Sequence, residues 1–171
     1  MDFKQKISLR RARDSGAVPE PGAAAWLFEL GERLESDRGR ILNSAAVRRL
    51  QQKTQVFPLD VKASVRSRLT HSLEVQETGR QISRRILAAL PAGTVCEGAF
   101  INLVEMACLL HDVGNPPFGH FGEQVMSQWL AQSLDELFAR AHDQLPSPQW
   151  AELRQDLLVF DGNAQSLRLV H

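Results

Sequence analysis

Apolar positions along this chain recur at threes and fours, and no stretch of any length alternates with a period of two. That is helical spacing. Trp26, Leu27, Leu30 and Leu34 predict a first helix over residues 23–34, which Ser36-Asp37-Arg38-Gly39-Arg40 should break. Asn43 or Ser44 can cap a second helix reaching Lys53, with Val47 and Leu50 on one face. Pro58 interrupts the next stretch, and residues 56–65 read as a loop or a short strand pair. Leu69, Leu73, Ile82, Ile86 and Leu90 predict a long helix that Pro91-Ala92-Gly93 stops. Residues 100–112 are apolar nearly all round, so this helix should be central and buried, ended by Gly114 and Pro116-Pro117. Val125, Met126, Trp129 and Leu130 stripe another helix, and Leu134, Leu137, Phe138 and Ala141 a further one. After Pro146 and Pro148, Trp150, Leu153 and Leu157 mark the next. Phe160 to Gln165 reads as a turn and helix start, and Leu167, Leu169 and Val170 open a last apolar stripe. The fold class this predicts is all-α.

At 171 residues the chain is long enough for one domain with a real core. Residues 1–24, with Gly16, Pro19, Pro21 and Gly22, read as a flexible basic arm, and residues 25–171 as a helical domain. The final stripe stops at His171 after some two turns, which are marginal alone, so the chain reads as part of something longer. No apolar run has the length of a membrane span, and MDFKQKISLRRARD is too charged for a signal peptide. Cys96 and Cys108 have no metal-like spacing, Cys108 reads as core, and a reduced, cytoplasmic setting is expected. Trp129 and Trp150, on apolar faces, read as core too.

The formal charge is zero but unevenly spread. Residues 1–94 carry 17 Lys/Arg against 10 Asp/Glu, and residues 95–171 carry 3 against 10. Between Arg38 and Arg68, eight basic residues face Asp60 alone. Arg outnumbers Lys 16 to 4, and its planar fork suits phosphate. A solvated basic face would explain any one of these residues; the cluster points to a polyanionic partner.

Candidate chemistry gathers in the run His111-Asp112-Val113-Gly114-Asn115-Pro116-Pro117-Phe118-Gly119-His120-Phe121-Gly122-Glu123. His111 and Asp112 stand where the apolar helix runs out. Taken alone they read as a His satisfying helix carbonyls and an Asp capping the next turn. His71 alters that reading, because antiparallel helices would bring it against them as a His-His-Asp cluster. Imidazole nitrogens with a carboxylate suit Mn, Fe, Co, Ni, Zn or, with water, Mg. Three protein ligands leave positions for water and a phosphoryl oxygen. His120 and Glu123 fall three apart, able to hold a proton donor or orient an attacking water, or else simply to begin a helix. Arg66 and Arg68 precede His71, and Arg68 shares its face as a phosphate clamp. No Walker loop, Gly-x-Gly-x-x-Gly, Cys-x-x-Cys or Gly-x-Ser-x-Gly competes.

His71 followed by His111-Asp112 resembles the HD-domain superfamily of metal-dependent phosphohydrolases. Residues 35–41, 48–57, 66–75 and 111–123, in that order, are similar to bacterial deoxyguanosinetriphosphate triphosphohydrolases. The resemblance implies an HD helical bundle, the N-terminal part of a larger fold. It also implies cleavage of dGTP or another dNTP at the α-phosphorus, to deoxynucleoside and triphosphate. By position it makes His71, His111 and Asp112 metal ligands, for Mg or Mn first, with Co, Ni, Fe or Zn admissible. His120 and Glu123 become the catalytic pair, and Gln55, Arg68 and Asn115 substrate-binding residues, Gln55 at the 3′ hydroxyl. It further implies homo-oligomers at full length and a possible single-stranded DNA effector; no membrane partner is expected from a chain without a long apolar run. The family's fourth ligand, a downstream Asp, has no counterpart here. A non-catalytic module binding nucleotide or single-stranded DNA, or an HD phosphohydrolase for another nucleotide, are the alternatives.

Overall fold

The computed structural model describes residues 7–11, 15, 24–53, 66–141 and 148–170. It is all-α, with no strand among the described residues. In chain order the helices are α1 (Ala24–Leu42), α2 (Ala45–Arg49, prolonged by a 3-10 turn over Leu50–Gln52), α3 (Arg68–Ala89), α4 (Glu97–Leu110), α5 (Gly119–Ala141), α6 (Pro148–Leu158) and α7 (Gly162–Val170). None of them is long and apolar enough to cross a membrane.

α4 lies between α1 and α3. Trp26, Leu30 and Leu34 of α1 are buried with Ala99 and Met106 of α4. Full burial of side chains this size stabilises by about 1.5–3 kcal/mol each. Leu9, in the arm expected to be flexible, joins this cluster at 2% exposure. Its carbonyl accepts a hydrogen bond from Arg33 Nη1 (2.9 Å), and Arg11 pairs with Asp37, so residues 7–11 are held on α1. A second cluster, Val47, Leu50 and Val113, anchors the loop after α4 against α2.

The other face of α4 meets α3 very closely. The buried positions of α3 are Arg68, Ser72, Gly79 and Ser83, not the apolar stripe that the periodicity picked out. A Cβ on Gly79 would stand 2.6 Å from Cys108 Sγ and 3.3 Å from Val104 Cγ1, so helix axes this near admit small residues alone. Leu73, Ile82 and Ile86 consequently face outward. α4 also departs from the expectation of burial all round, since Leu103 and Ala107 are exposed.

Two expected boundaries are absent. α1 runs straight through residues 36–40 because their side chains find partners beyond the helix. Asp37 pairs with Arg11, and Arg38 reaches the buried Glu105 of α4, which Arg80 of α3 also approaches (3.6 and 3.3 Å). The helix ends where Asn43 donates from both its backbone and its carboxamide to the Gly39 carbonyl. The stretches either side of residues 130–134 form one helix, α5, with no breaker between them. Trp129, expected in the core, is 54% exposed. Trp150 lies at 3.8 Å from the Phe138 ring, joining α6 to α5, and Arg154 grips Asp135 with two bonds. The loop or strand pair expected over 56–65 falls outside the described residues, as does Gln55.

Candidate metal centre

Ser67 opens α3 in extended geometry, and its hydroxyl accepts from the Thr70 amide. This cap sets His71 in the first turn. At the other end of the pair, α4 stops at Leu110, and bonds from Val113 to Leu110 and from Asn115 to Asp112 close two successive turns. Val113, buried against Leu50, fixes those turns in place. The result is a meeting of a helix start with a helix end. The His71 and His111 rings lie edge to face at 5.3 Å and 70°. One ligand atom from each of His71, His111 and Asp112 lies within 4.8 Å of the others.

The donors are set up for a cation. His111 Nδ1 is 2.7 Å from the Cys108 carbonyl. A carbonyl only accepts, so this bond requires the Nδ1–H tautomer and leaves the Nε2 lone pair free. His111 Nε2 stands 3.6 Å from Asp112 Oδ2. Asp112 is 7% exposed, and a carboxylate so deep needs compensation. Arg68 Nη1 donates to Oδ2 at 2.9 Å and Asn115 Nδ2 to Oδ1 at 2.6 Å. Two imidazoles and a carboxylate at this separation fit a divalent ion bound by mixed nitrogen and oxygen ligands, with positions left open.

Positive charge surrounds this acid. Arg68 is buried, and its Nη2 presses on Gly119, whose φ of +56° and lack of a Cβ allow the approach. Lys53 donates from Nζ to the Asn115 carbonyl (2.9 Å). Burial, then the charges of Arg68 and Arg49, hold its pKa below the ordinary 10.5, with Asp112 opposing them.

His120 and Glu123 form the expected pair, Nδ1 to Oε2 at 2.7 Å. The His side chain is 85% exposed and the Glu 15%, so one partner faces solvent while the other is anchored. The anchor is the Gly162 amide, which donates to Glu123 Oε1 at 2.9 Å. α7 thereby starts directly on the site. A Cβ on Gly162 would strike Asn115 Oδ1 and Glu123, and one on Gly114 would strike the Gly162 carbonyl and Ser166. Ser166 Oγ also accepts from the Gly114 amide.

The structure therefore brings His71, His111 and Asp112 together, with Arg68 and Asn115 bonded to the acid and His120 bonded to Glu123. Arg68 and Asn115, expected to touch substrate, spend these bonds on Asp112. Sequence reasoning missed Lys53, Gly162 and Ser166. Gly162 and Ser166 had a signal in the turn before the last apolar stripe; Lys53 had none beyond its place in the basic stretch.

Residues 68–145 match the family model described as the HD domain. A probable deoxyguanosinetriphosphate triphosphohydrolase of Pseudomonas aeruginosa PAO1 is 53% identical over 181 aligned residues, covering 99% of this chain and 36% of that protein. Deoxyguanosinetriphosphate triphosphohydrolases of Serratia proteamaculans 568 and Yersinia pestis Pestoides F are 45% and 44% identical, covering 100% of this chain and 38% of each relative. The chain thus spans little more than a third of the length of these relatives. Over residues 68–145, which hold His71, His111 and Asp112, the chain is similar to HD-domain proteins.

Proposed function

We propose that this chain holds a divalent metal ion, Mg or Mn, through His71, His111 and Asp112, as part of a hydrolase for deoxynucleoside triphosphates. The substrate in this reading is dGTP or another dNTP, cut at the α-phosphorus to deoxynucleoside and triphosphate. The observation that carries it is the convergence of the three donors within 4.8 Å, in a chain similar along its length to proteins named for that reaction. Once bound, such a metal lowers the pKa of a water and polarises a phosphoryl oxygen.

The chain's own groups do the rest. Glu123, fixed by the Gly162 amide, holds His120 through Nδ1 and turns the other ring nitrogen outward. That exposed nitrogen is the group to move a proton at a nucleophile or leaving oxygen. Arg68 and Lys53 supply positive charge beside the acid, and in this reading Arg68 clamps a phosphate of the substrate. Gln55 and Asn115 complete the substrate-binding set, Gln55 at the sugar edge. The full-length protein acts in the cytoplasm as a homo-oligomer that single-stranded DNA can regulate. The test is incubation with dGTP and Mn²⁺. Triphosphate as the phosphorus product supports the reading, and pyrophosphate or orthophosphate in its place refutes it.

The excess of basic residues over 38–68, with Arg48 and Arg49 exposed, favours one second reading: binding of single-stranded DNA without turnover. It requires salt-sensitive DNA binding that survives His111→Ala, and no metal-dependent product.

A further inference from the structure

We propose that Lys53 is a positioning residue for the metal-binding carboxylate of Asp112. The inference rests on the metal-centre reading and adds a residue to it.

Four hydrogen bonds form a closed circuit around Asp112. Lys53 Nζ donates to the Asn115 carbonyl at 2.9 Å. Asn115 Nδ2 donates to Asp112 Oδ1 at 2.6 Å. Asp112 Oδ2 accepts from Arg68 Nη1 at 2.9 Å. The Arg68 amide closes the circuit by donating to the Lys53 carbonyl at 2.8 Å. Lys53 therefore touches the centre twice, by its backbone at the start of α3 and by its side chain at the far end of the His111–Asn115 loop.

Each oxygen of Asp112 has a different route back to Lys53. The Oδ2 route passes through Arg68, which the first turn of α3 already holds. The Oδ1 route passes through Asn115, whose loop position depends on Val113 packing and on the Lys53 bond. Asn115 is buried, so removing Nζ leaves its carbonyl without this donor and frees the loop to relax. Asn115 then carries its amide away from Oδ1, and the carboxylate loses the bond that sets its rotation about the Cβ–Cγ axis. Partners of this second kind, bonded to ligands or to the groups that hold them, tune metal affinity by orienting what binds.

The circuit also gives the Lys53 ammonium a role in a cationic neighbourhood. Arg49 and Arg68 both disfavour its charge. A side chain serving only to fill space against Val113 and Leu169, which line the same small cavity of about 260 Å³, needs no ammonium.

The test compares Lys53→Met, which keeps the stem and loses the donors, with Lys53→Arg, which keeps donors. Mn²⁺ affinity is read by EPR titration, and exchange of the Asn115 amide is read by NMR without metal. Lys53→Met should bind Mn²⁺ about 10–100-fold more weakly than wild type, with faster exchange at Asn115. Lys53→Arg should recover most of both. Equal losses in the two variants, or a Met variant with wild-type affinity and exchange, overturn the proposal. A wild type that binds no Mn²⁺ overturns the metal-centre reading, and the proposal with it. Wild-type binding with an unaffected Met variant sinks the role of Lys53 alone.

Discussion

Replacing Arg68 with Met should expose how much of this fold depends on compensating Asp112. The two side chains are 7% and 10% exposed, and their closest N–O distance is 2.9 Å. Met keeps most of the stem's volume, so the change is mainly one of charge. It strands a buried carboxylate with Asn115 as its remaining donor. Breaking one side of a buried pair costs about 3–5 kcal/mol, much of it the penalty of the charge left behind. That is a large share of the roughly 5–15 kcal/mol that holds a typical domain. Two compensations should each reverse it. Asp112→Asn in the same chain removes the orphan charge, and the double variant should regain most of the loss, since deleting both partners is often near neutral. A divalent ion replaces the lost cation, and at 100-fold its dissociation constant it adds about 2.7 kcal/mol. Urea unfolding in EDTA and in Mn²⁺ measures all of this. Arg68→Met should show the larger gain on adding metal. A loss below about 1 kcal/mol in EDTA, or a metal gain no larger than wild type's, would refute the reasoning, since a buried unpaired charge cannot be that cheap.

Packing and caps give three further expected outcomes. Ser67→Ala removes the α3 cap and should lower stability by about 1 kcal/mol in chemical denaturation, with weaker metal binding because His71 sits in the turn it fixes. Gly79→Ala gains about 0.5–1 kcal/mol of helix propensity but drives a methyl into Cys108 at a cost of about 1–3 kcal/mol, so the urea midpoint should fall. Adding Cys108→Ala should restore it, and an unchanged midpoint in the single variant would contradict the close approach of α3 and α4. Burial, then the charge of Glu105, pushes the Cys108 thiol above its ordinary 9.0. The folded state therefore keeps this proton longer than the unfolded chain, so the contribution is present below pH 9.0 and fades as pH rises through the folded pKa. Wild type should lose more stability than Cys108→Ala between about pH 8 and about pH 10, and equal slopes would count against it.

Helix type and order were legible because apolar spacing reports which faces pack. Val47, Leu50, Met106 and Leu109 are buried on the faces that this spacing marks. The failures share a cause. α3 buries Ser72, Gly79 and Ser83, because a close helix approach selects for size before hydrophobicity, and a hydrophobic count cannot register that. α1 crosses residues 36–40 because Arg11 and Glu105, distant in sequence, supply partners to residues that otherwise favour turns. The convergence of His71, His111 and Asp112 was readable from their residue types and their places at helix ends. Lys53 was not, since its bond to Asn115 spans 62 residues and nothing local marks it. The anchoring of Glu123 by Gly162 was hidden in the same way.

In the reading proposed above, His71, His111 and Asp112 grip one divalent ion together. Pulsed EPR of the Mn²⁺-loaded protein tests it most directly, because nitrogen coupling counts the imidazoles on the metal. The expected result is coupling from two histidine nitrogens, reduced to one in His71→Ala and in His111→Ala, with binding weakened in Asp112→Asn. A Mn²⁺ signal with no nitrogen coupling, or one unchanged by either His substitution, would contradict it.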